Sequence, residues 1–177
     1  MKALIIIATE GFQDKELQDT KSALEGAGVV VTVAAKQKGI CKGKLGGSAQ
    51  AMFSLSEVNV DRYDGIIFIG GPGALMYVKD SAALRITRDA HAKRKVLGAI
   101  CVAPTILAAA GVLKDRRATV WNEDGAQESI LTKGGAKYSS EAVTVDGLCV
   151  TANGPAYATQ FGLKLVELLK KRPLSGG

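Results

Sequence analysis

The sequence predicts an α/β fold, a doubly wound and mostly parallel sheet sandwiched by helices. Short apolar runs rich in β-branched residues, such as Val96–Ile100, are typical of strands buried on both faces. Segments with apolar side chains at helical spacing separate these runs, and glycines stand where the chain must turn. Ligands bind at the carboxyl ends of the strands in such a fold, so a site is expected there.

The first part of the chain predicts a strand–helix–strand unit followed by a hairpin. Ala3–Ala8 and Val29–Ala34 are compact apolar runs, so both are predicted to be strands. Asp14–Ala27 lies between them, has apolar residues at helical spacing, and ends at Gly28. Lys36–Phe53 carries four glycines between short apolar pieces, which predicts an excursion from the sheet with a small hairpin.

The middle of the chain predicts two more buried strands with a helix between them. The strands are Gly65–Ile69 and Val96–Ile100, and both are short apolar runs. Ala82–Lys93 is the helix that connects them. Ala103–Ala110 has the alanine-rich composition of a helix, which Gly111 ends.

The last part of the chain predicts a hairpin packed among shorter elements. Asp146-Gly147 separates the runs Val143–Val145 and Leu148–Thr151, a pattern typical of a type I′ turn. Three further elements are predicted, namely strand Ala118–Val120, helix Gly125–Lys133 and helix Pro155–Lys171. Together the elements predict one flavodoxin-like domain at residues 1–172, with a loose tail at residues 173–177.

Composition excludes several classes of protein. The 177 residues have a formal net charge of +6, but Lys and Arg are spread along the chain, so nucleic-acid binding is not expected. Apolar runs far shorter than the ~20 residues of a membrane span, and an N-terminus without signal-peptide features, predict a cytoplasmic protein with no membrane partner. Three widely spaced cysteines without a CxxC pair, and a single histidine, predict no disulfide framework and no metal site.

The most informative motif is the run from Val96 to Leu107. A strand leads into Cys101 and then directly into a helix, which is the context of a nucleophile elbow. An elbow turns the side chain out over the sheet and places the sulfur near a helix N-terminus, so a lowered thiol pKa is expected. A buried structural cysteine is the alternative.

Two other segments follow strands and are expected near Cys101. Gly70-Gly71-Pro72-Gly73 would bring backbone N–H groups to the cysteine as an oxyanion hole, or it is a plain strand-to-helix turn. Glu10–Glu16 places acids after the first strand. Helix capping by Asp14, with Glu16 in the first turn, predicts the same acids, so spacing alone leaves both interpretations open.

These segments resemble the DJ-1/PfpI superfamily, which has the class I glutamine amidotransferase-like fold. The resemblance covers the chain from about Lys2 to Lys170. Its motifs, in the family's order and spacing, are Glu16-Leu17, Gly70-Gly71, Ala99–Pro104 and Asn153-Gly154-Pro155.

The resemblance implies the roles of four residues. Cys101 matches the nucleophile, Glu16 matches a protonated glutamate hydrogen-bonded to it, and Gly71 and Val102 match the oxyanion-hole amides. It also implies cofactor-independent glyoxalase or deglycase chemistry, as a lyase or hydrolase, on small reactive carbonyls such as methylglyoxal. Other members are described as intracellular peptidases, redox sensors or chaperones, and most form dimers or larger homo-oligomers.

Several residues of this sequence depart from the family pattern, and these departures reduce the number of activities to be expected. Val102 stands where the peptidase-like branch has a histidine, and Trp121 stands at about the position of the other branch's histidine. No carboxylate follows Gly73, and His91 is predicted at the opposite end of the sheet. Cysteine-peptidase chemistry is therefore disfavoured. A glyoxalase or deglycase remains the first hypothesis, and a redox-sensing or chaperone-like stress protein acting through oxidation of Cys101 is the alternative.

The sequence also predicts which residues line the pocket around Cys101. The pocket candidates are Gly70, Trp121, Asn122, Asn153 and Tyr157. Core packing or helix capping explains Trp121, Asn122 and Tyr157 equally well. Of the other thiols, Cys149 is expected in the core, and Cys41 is expected to be exposed or at an interface.

Overall fold

The structure is a computed structural model that describes residues 1–171. Its strands, in chain order, are β1 Lys2–Ile6, β2 Glu10–Phe12, β3 Val30–Ala35, β4 Gly39–Gly43, β5 Ser48–Ala51, β6 Phe53–Ser54, β7 Gly65–Phe68, β8 Val96–Ile100, β9 Arg117–Ala118, β10 Lys137–Tyr138, β11 Val143–Asp146 and β12 Cys149–Ala152. Its α-helices are α1 Asp14–Gly26, α2 Ser81–Ala92, α3 Pro104–Ala109, α4 Gln127–Lys133 and α5 Ala158–Lys171. The predicted tail at residues 173–177 lies outside the described residues.

A seven-stranded sheet in the order β11-β12-β8-β7-β1-β3-β6 forms the centre of the fold. Its neighbouring strands are parallel except for β11 and β12, which are antiparallel. Leu4 and Ile6 of β1 belong to an apolar cluster that includes α2, α3 and α4 side chains. Ala3 and Ile5 belong to the cluster with α1 and α5. Helices therefore cover both faces, which confirms the predicted doubly wound, flavodoxin-like α/β fold.

The parallel register brings the ends of four strands to one edge of the sheet. β1, β7, β8 and β12 are adjacent, so the chain segments that follow them converge there. Those segments contain Gly70 after β7, Cys101 after β8 and Asn153 after β12. The fold thereby places the candidate site where the sequence predicted it.

The predicted excursion at Lys36–Phe53 contains the hairpin β4–β5, which pairs with β2 to form a separate three-stranded sheet. Asp14 holds this hairpin, because its carboxylate accepts hydrogen bonds from the backbone of Leu45 (2.8 Å) and Gly47 (2.7 Å). The alternative interpretation in which Asp14 caps α1 was wrong, since the N-cap is Gln13. Cys41 was expected to be exposed or at an interface, but it is fully buried within the chain, because β4 packs its side chain inward.

Local details differ from the prediction at three places. The β11–β12 turn is Gly147-Leu148, because Asp146 pairs with Cys149 and only Gly147 has a positive φ (58°). That pattern fits a type II′ turn rather than the predicted type I′ turn. The sequence analysis also missed the 3₁₀ helix Pro72–Lys79 and strand β10, and the start of the predicted last helix, Pro155–Tyr157, is 3₁₀. Within residues 1–171, every helix is too short or too polar to span a membrane.

Candidate active site

Cys101 lies in a tight turn between β8 and α3. Its φ of 62° falls in the left-handed region, where a residue with a side chain costs about 1–2 kcal/mol. Hydrogen bonds hold the turn on both sides, from Cys101 N to Ala152 O (2.8 Å) and from Trp121 N to Cys101 O (2.9 Å). The backbone geometry is that of an elbow, as the strand-to-helix motif predicted.

Gly70 and Gly71 allow the neighbouring strand end to approach this turn closely. A Cβ on Gly70 would lie 2.5 Å from the Cβ of Cys101, and one on Gly71, where φ is 100°, would lie 2.6 Å from the backbone nitrogen of Gln13. Any other residue would therefore force this edge apart. The close approach lets the backbone N–H groups of Gly71 and Val102 donate hydrogen bonds to the Cys101 sulfur.

Glu16 projects from the first turn of α1 and is completely buried. Its Oε2 accepts a hydrogen bond from Gly70 N (2.9 Å), while Oε1 receives no hydrogen bond from protein donors among residues 1–171. Burial raises the pKa of Glu16 to about 7, although the Gly70 amide and the Cys101 thiol lower it. Glu16 therefore carries its proton in a large fraction of molecules at neutral pH.

The Cys101 thiol is the partner of this carboxyl group. Burial, and to a smaller extent the negative charge of Glu16, raise the pKa of Cys101 to about 12, although the Gly71 and Val102 amides lower it. The expectation of a lowered pKa was wrong, because burial outweighs the dipole of the six-residue helix α3. The resting sulfur is a thiol, and the Glu16 carboxyl group beside it is ionised in the remaining fraction of molecules at neutral pH.

A cavity of about 890 Å³ opens over Cys101. Of the predicted pocket residues, Trp121, Asn122, Asn153 and Tyr157 line it, together with Gly71 and Val102. Gly70 does not line the cavity; it is buried, and its N–H donates a hydrogen bond to Glu16 Oε2. Trp121 also packs against the core. Asn122 accepts a hydrogen bond from Glu128 N (3.0 Å) near the start of α4. Core packing by Trp121 and helix capping by Asn122 therefore occur together with pocket lining.

Several lining residues were missed by the sequence analysis. They are Gln13, Lys44, Pro72, Leu75, Val120, Glu123, Asp124, Gln127, Tyr138, Gly154, Pro155 and Ala156. Asn153-Gly154-Pro155 was a recognised motif, so Gly154 and Pro155 had a signal that could have been used. Lys44 and Tyr138 had none, because the docking of a hairpin and the pairing of β9 with β10 depend on contacts distant in sequence.

His91, the single histidine of the chain, lies far from the elbow. It lines a second cavity, of about 220 Å³, with Leu97 at the start of β8 and with Cys149. The predicted placement at the opposite end of the sheet is confirmed. Cys149 is 3% exposed and belongs to the core cluster, also as expected.

Comparison with known proteins identifies the family to which this chain belongs. The family model described as the DJ-1/PfpI family matches residues 1–168. The chain belongs to the DJ-1/PfpI family, and the fold and the elbow geometry agree with the resemblance seen in the sequence.

Individual relatives cover nearly the whole chain. It is 32% identical over 170 residues to the protein named Deglycase PfpI from Pyrococcus furiosus, which covers 96% of this chain and 100% of that protein. It is 28% identical over 168 residues to the Glutathione-independent glyoxalase DJR-1.2 of Caenorhabditis elegans, covering 95% and 88%. The crystal structure of a ThiJ/PfpI domain protein from Brachyspira murdochii superposes with a TM-score of 0.93 at 30% identity, covering 97% and 98%.

Proposed function

We propose that this protein is a cofactor-independent glyoxalase or deglycase that acts on small reactive carbonyls such as methylglyoxal. The observation that carries the proposal is the pairing of Cys101 with a buried Glu16 whose pKa is raised to about 7, beneath a large open cavity. A carboxyl group with a pKa near the operating pH can both accept and return a proton. The names of the relatives from Pyrococcus furiosus and Caenorhabditis elegans support the same chemistry.

The first step is addition of the Cys101 sulfur to the aldehyde carbon. Because the thiol is protonated at rest, ionised Glu16 takes its proton as the S–C bond forms. The carbonyl π electrons move to oxygen, and the N–H groups of Gly71 and Val102 stabilise that oxygen. Return of the proton from Glu16 to the oxygen gives a neutral hemithioacetal.

The second step is a proton shuttle within the adduct. Glu16 removes the proton from the former aldehyde carbon and delivers it to the neighbouring ketone carbon, while the hydroxyl proton passes to the former ketone oxygen. This converts the hemithioacetal to a thioester of the 2-hydroxy acid. Water then hydrolyses the thioester, so that methylglyoxal plus water gives lactic acid and Cys101 regains its proton. A deglycase would release the same acid from a carbonyl adduct of an amine.

Turnover of methylglyoxal without glutathione tests the proposal. We expect formation of lactate by the native chain, loss to the background rate in Cys101→Ser, and a loss of at least about a hundredfold in Glu16→Gln, since an amide cannot exchange protons. Cys149→Ser is the matched control, because it changes a buried thiol at the other end of the sheet. Equal turnover in native protein and Cys101→Ser would refute the proposal.

A redox-sensing or chaperone-like protein that acts through oxidation of Cys101 is the second candidate. The observation that favours it is the absence of the chain's only histidine from the cavity, which leaves fewer groups to move protons. Peroxide would then convert Cys101 to a sulfenic or sulfinic acid, with the oxygen atoms coming from the peroxide. Cys101-dependent change in a binding property after limiting peroxide, with no lactate formed, would favour this function over the enzyme.

The remaining sequence predictions stay predictions. They are a small carbonyl as the substrate, no cofactor, no nucleic-acid or membrane partner, a cytoplasmic location and a homo-oligomer. Peptidase activity is not expected, because Val102 occupies the position of the histidine that such chemistry needs. Cleavage of casein that disappears in Cys101→Ser would contradict that expectation.

A further inference from the structure

Lys44 occupies a fixed place at the turn of the β4–β5 hairpin. Its backbone N donates to Phe12 O (2.9 Å), and the next residues are tied to the Asp14 carboxylate through Leu45 N and Gly47 N. The adjacent glycines, Gly43 and Gly47, have no room for a Cβ beside that carboxylate. The hairpin turn is therefore attached to the start of α1, the helix that carries Glu16.

The side chain of Lys44 brings a positive charge to the Cys101 cavity. Lys44 is the only Lys or Arg among the cavity-lining residues, and it makes no ion pair within residues 1–171. Its ammonium group is close enough to Glu16 for its charge to lower the pKa of that carboxyl group. The cation therefore lies on the side of the cavity that contains the reacting pair.

The acidic residues of the cavity do not cancel this charge at the reacting pair. Glu123 and Asp124 come from the segment before α4, and neither changes the pKa of Glu16 or Cys101. Asp124 is also occupied locally, because it accepts hydrogen bonds from Ala126 N (3.0 Å) and Gln127 Nε2 (2.9 Å). The charge that acts on Cys101 is thus that of Glu16, and the charge of Lys44 acts on Glu16.

The size of the cavity leaves space for more than a three-carbon carbonyl. A volume of about 890 Å³ falls in the range of roughly 300–1,000 Å³ that accommodates drug-sized ligands. We propose that Lys44 forms an anion-binding subsite of the Cys101 cavity and that the preferred substrates are 2-oxoaldehydes carrying a second, anionic group. The substrate class rests on the proposed function, whereas the anion-binding subsite does not.

Alkylation of Cys101 tests the subsite without any turnover. Iodoacetate and iodoacetamide alkylate the same sulfur with the same leaving group, but only iodoacetate is an anion. We expect Lys44→Met to lower the ratio of the two rates at Cys101 by about threefold to tenfold, as expected for loss of one nearby unit charge in water-accessible surroundings. Using the ratio cancels any change in thiol reactivity that the substitution causes through Glu16.

Three comparisons make this measurement specific. Lys44→Arg should keep the ratio high, because it retains the charge, and added salt should lower the native ratio by screening. Lys42→Met is the matched control, since Lys42 is exposed on the same hairpin but does not line the cavity. Equal ratios in the native chain, Lys44→Met and Lys42→Met would overturn the subsite.

Turnover of two matched aromatic substrates tests the substrate class. Phenylglyoxal is neutral and 4-carboxyphenylglyoxal is anionic, and each gains one water to become a mandelate. We expect the ratio of kcat/KM, anionic over neutral, to fall at least threefold in Lys44→Met and to recover in Lys44→Arg. An unchanged turnover ratio would overturn the proposed substrate class while leaving the glyoxalase function in place. No turnover of either substrate, with a Lys44-dependent alkylation ratio, would reject the proposed function and support the subsite.

Discussion

The two ends of the central sheet each contain a buried cysteine, but their surroundings differ. Burial raises the pKa of Cys101 to about 12 and that of Cys149 to about 11, so burial does not distinguish them. Cys149 lies in an ordinary extended strand. Cys101 has a positive φ, two amide donors at its sulfur, and Glu16 beside it. The comparison teaches that backbone geometry and a titrating neighbour, rather than thiol acidity, mark the candidate nucleophile.

The largest expected effect is a change in the free energy of unfolding with pH, which arises from Glu16 beside Cys101. Among residues 1–171, Glu16 is the only Asp or Glu that is buried. Its pKa of about 7 in the folded protein lies above the ordinary value of 4.5, so ionisation favours unfolding. The contribution of protonated Glu16 to the free energy of unfolding is fully present below about pH 4.5 and is lost as the pH rises to about 7. Above that pH the loss amounts to as much as about 3 kcal/mol.

Urea unfolding at pH 5 and pH 8 measures this effect. Glu16→Gln keeps the shape of the side chain but does not titrate, so the difference in unfolding free energy between the two pH values should shrink in the variant. The same pH dependence in Glu16→Gln and the native chain would mean that Glu16 is solvated rather than buried.

The next effect compares a glycine at each end of the sheet. Gly71→Ala should cost about 3 kcal/mol, since its new Cβ meets backbone atoms at a positive φ. Gly147→Ala also has a positive φ, but its Cβ meets the end of the flexible Arg116 side chain, so about 1 kcal/mol is expected. Thermal unfolding of both variants checks the order, and an equal loss in both would argue against a rigid carboxyl-end turn.

The smallest effect is the order in which the thiols react. Cys101 lines the large cavity and is 8% exposed, whereas Cys149 is 3% exposed and Cys41 is fully buried. We expect brief, limiting iodoacetamide to modify Cys101 at least about tenfold faster than the other two, through access rather than acidity. Peptide mass spectrometry gives the order, and faster labelling of Cys41 would contradict the burial seen here.

The sequence allowed the centre of the site to be predicted because it depends on local chain order. Cys101 directly follows an apolar strand, and the carboxyl ends of parallel strands meet in any doubly wound sheet. The role of Glu16 came from the family resemblance, because spacing alone left helix capping open. Lys44 could not be predicted, because its place depends on a hairpin that Asp14 attaches to α1 from thirty residues away. The thiol pKa was wrong for a related reason, since the sequence shows a helix after Cys101 but not how deeply the sulfur is buried.

The central claim is that Cys101 and Glu16 form one proton-sharing unit. The pH–rate profile of Cys101 alkylation by iodoacetamide, measured from pH 5 to 10, tests it most directly. The native chain should show an inflection near pH 7, where Glu16 ionises and changes the charge beside the sulfur. Glu16→Gln and Glu16→Leu should both lose that inflection. Superimposable profiles for the native chain and both variants would show that Glu16 is not coupled to the thiol and would contradict the account.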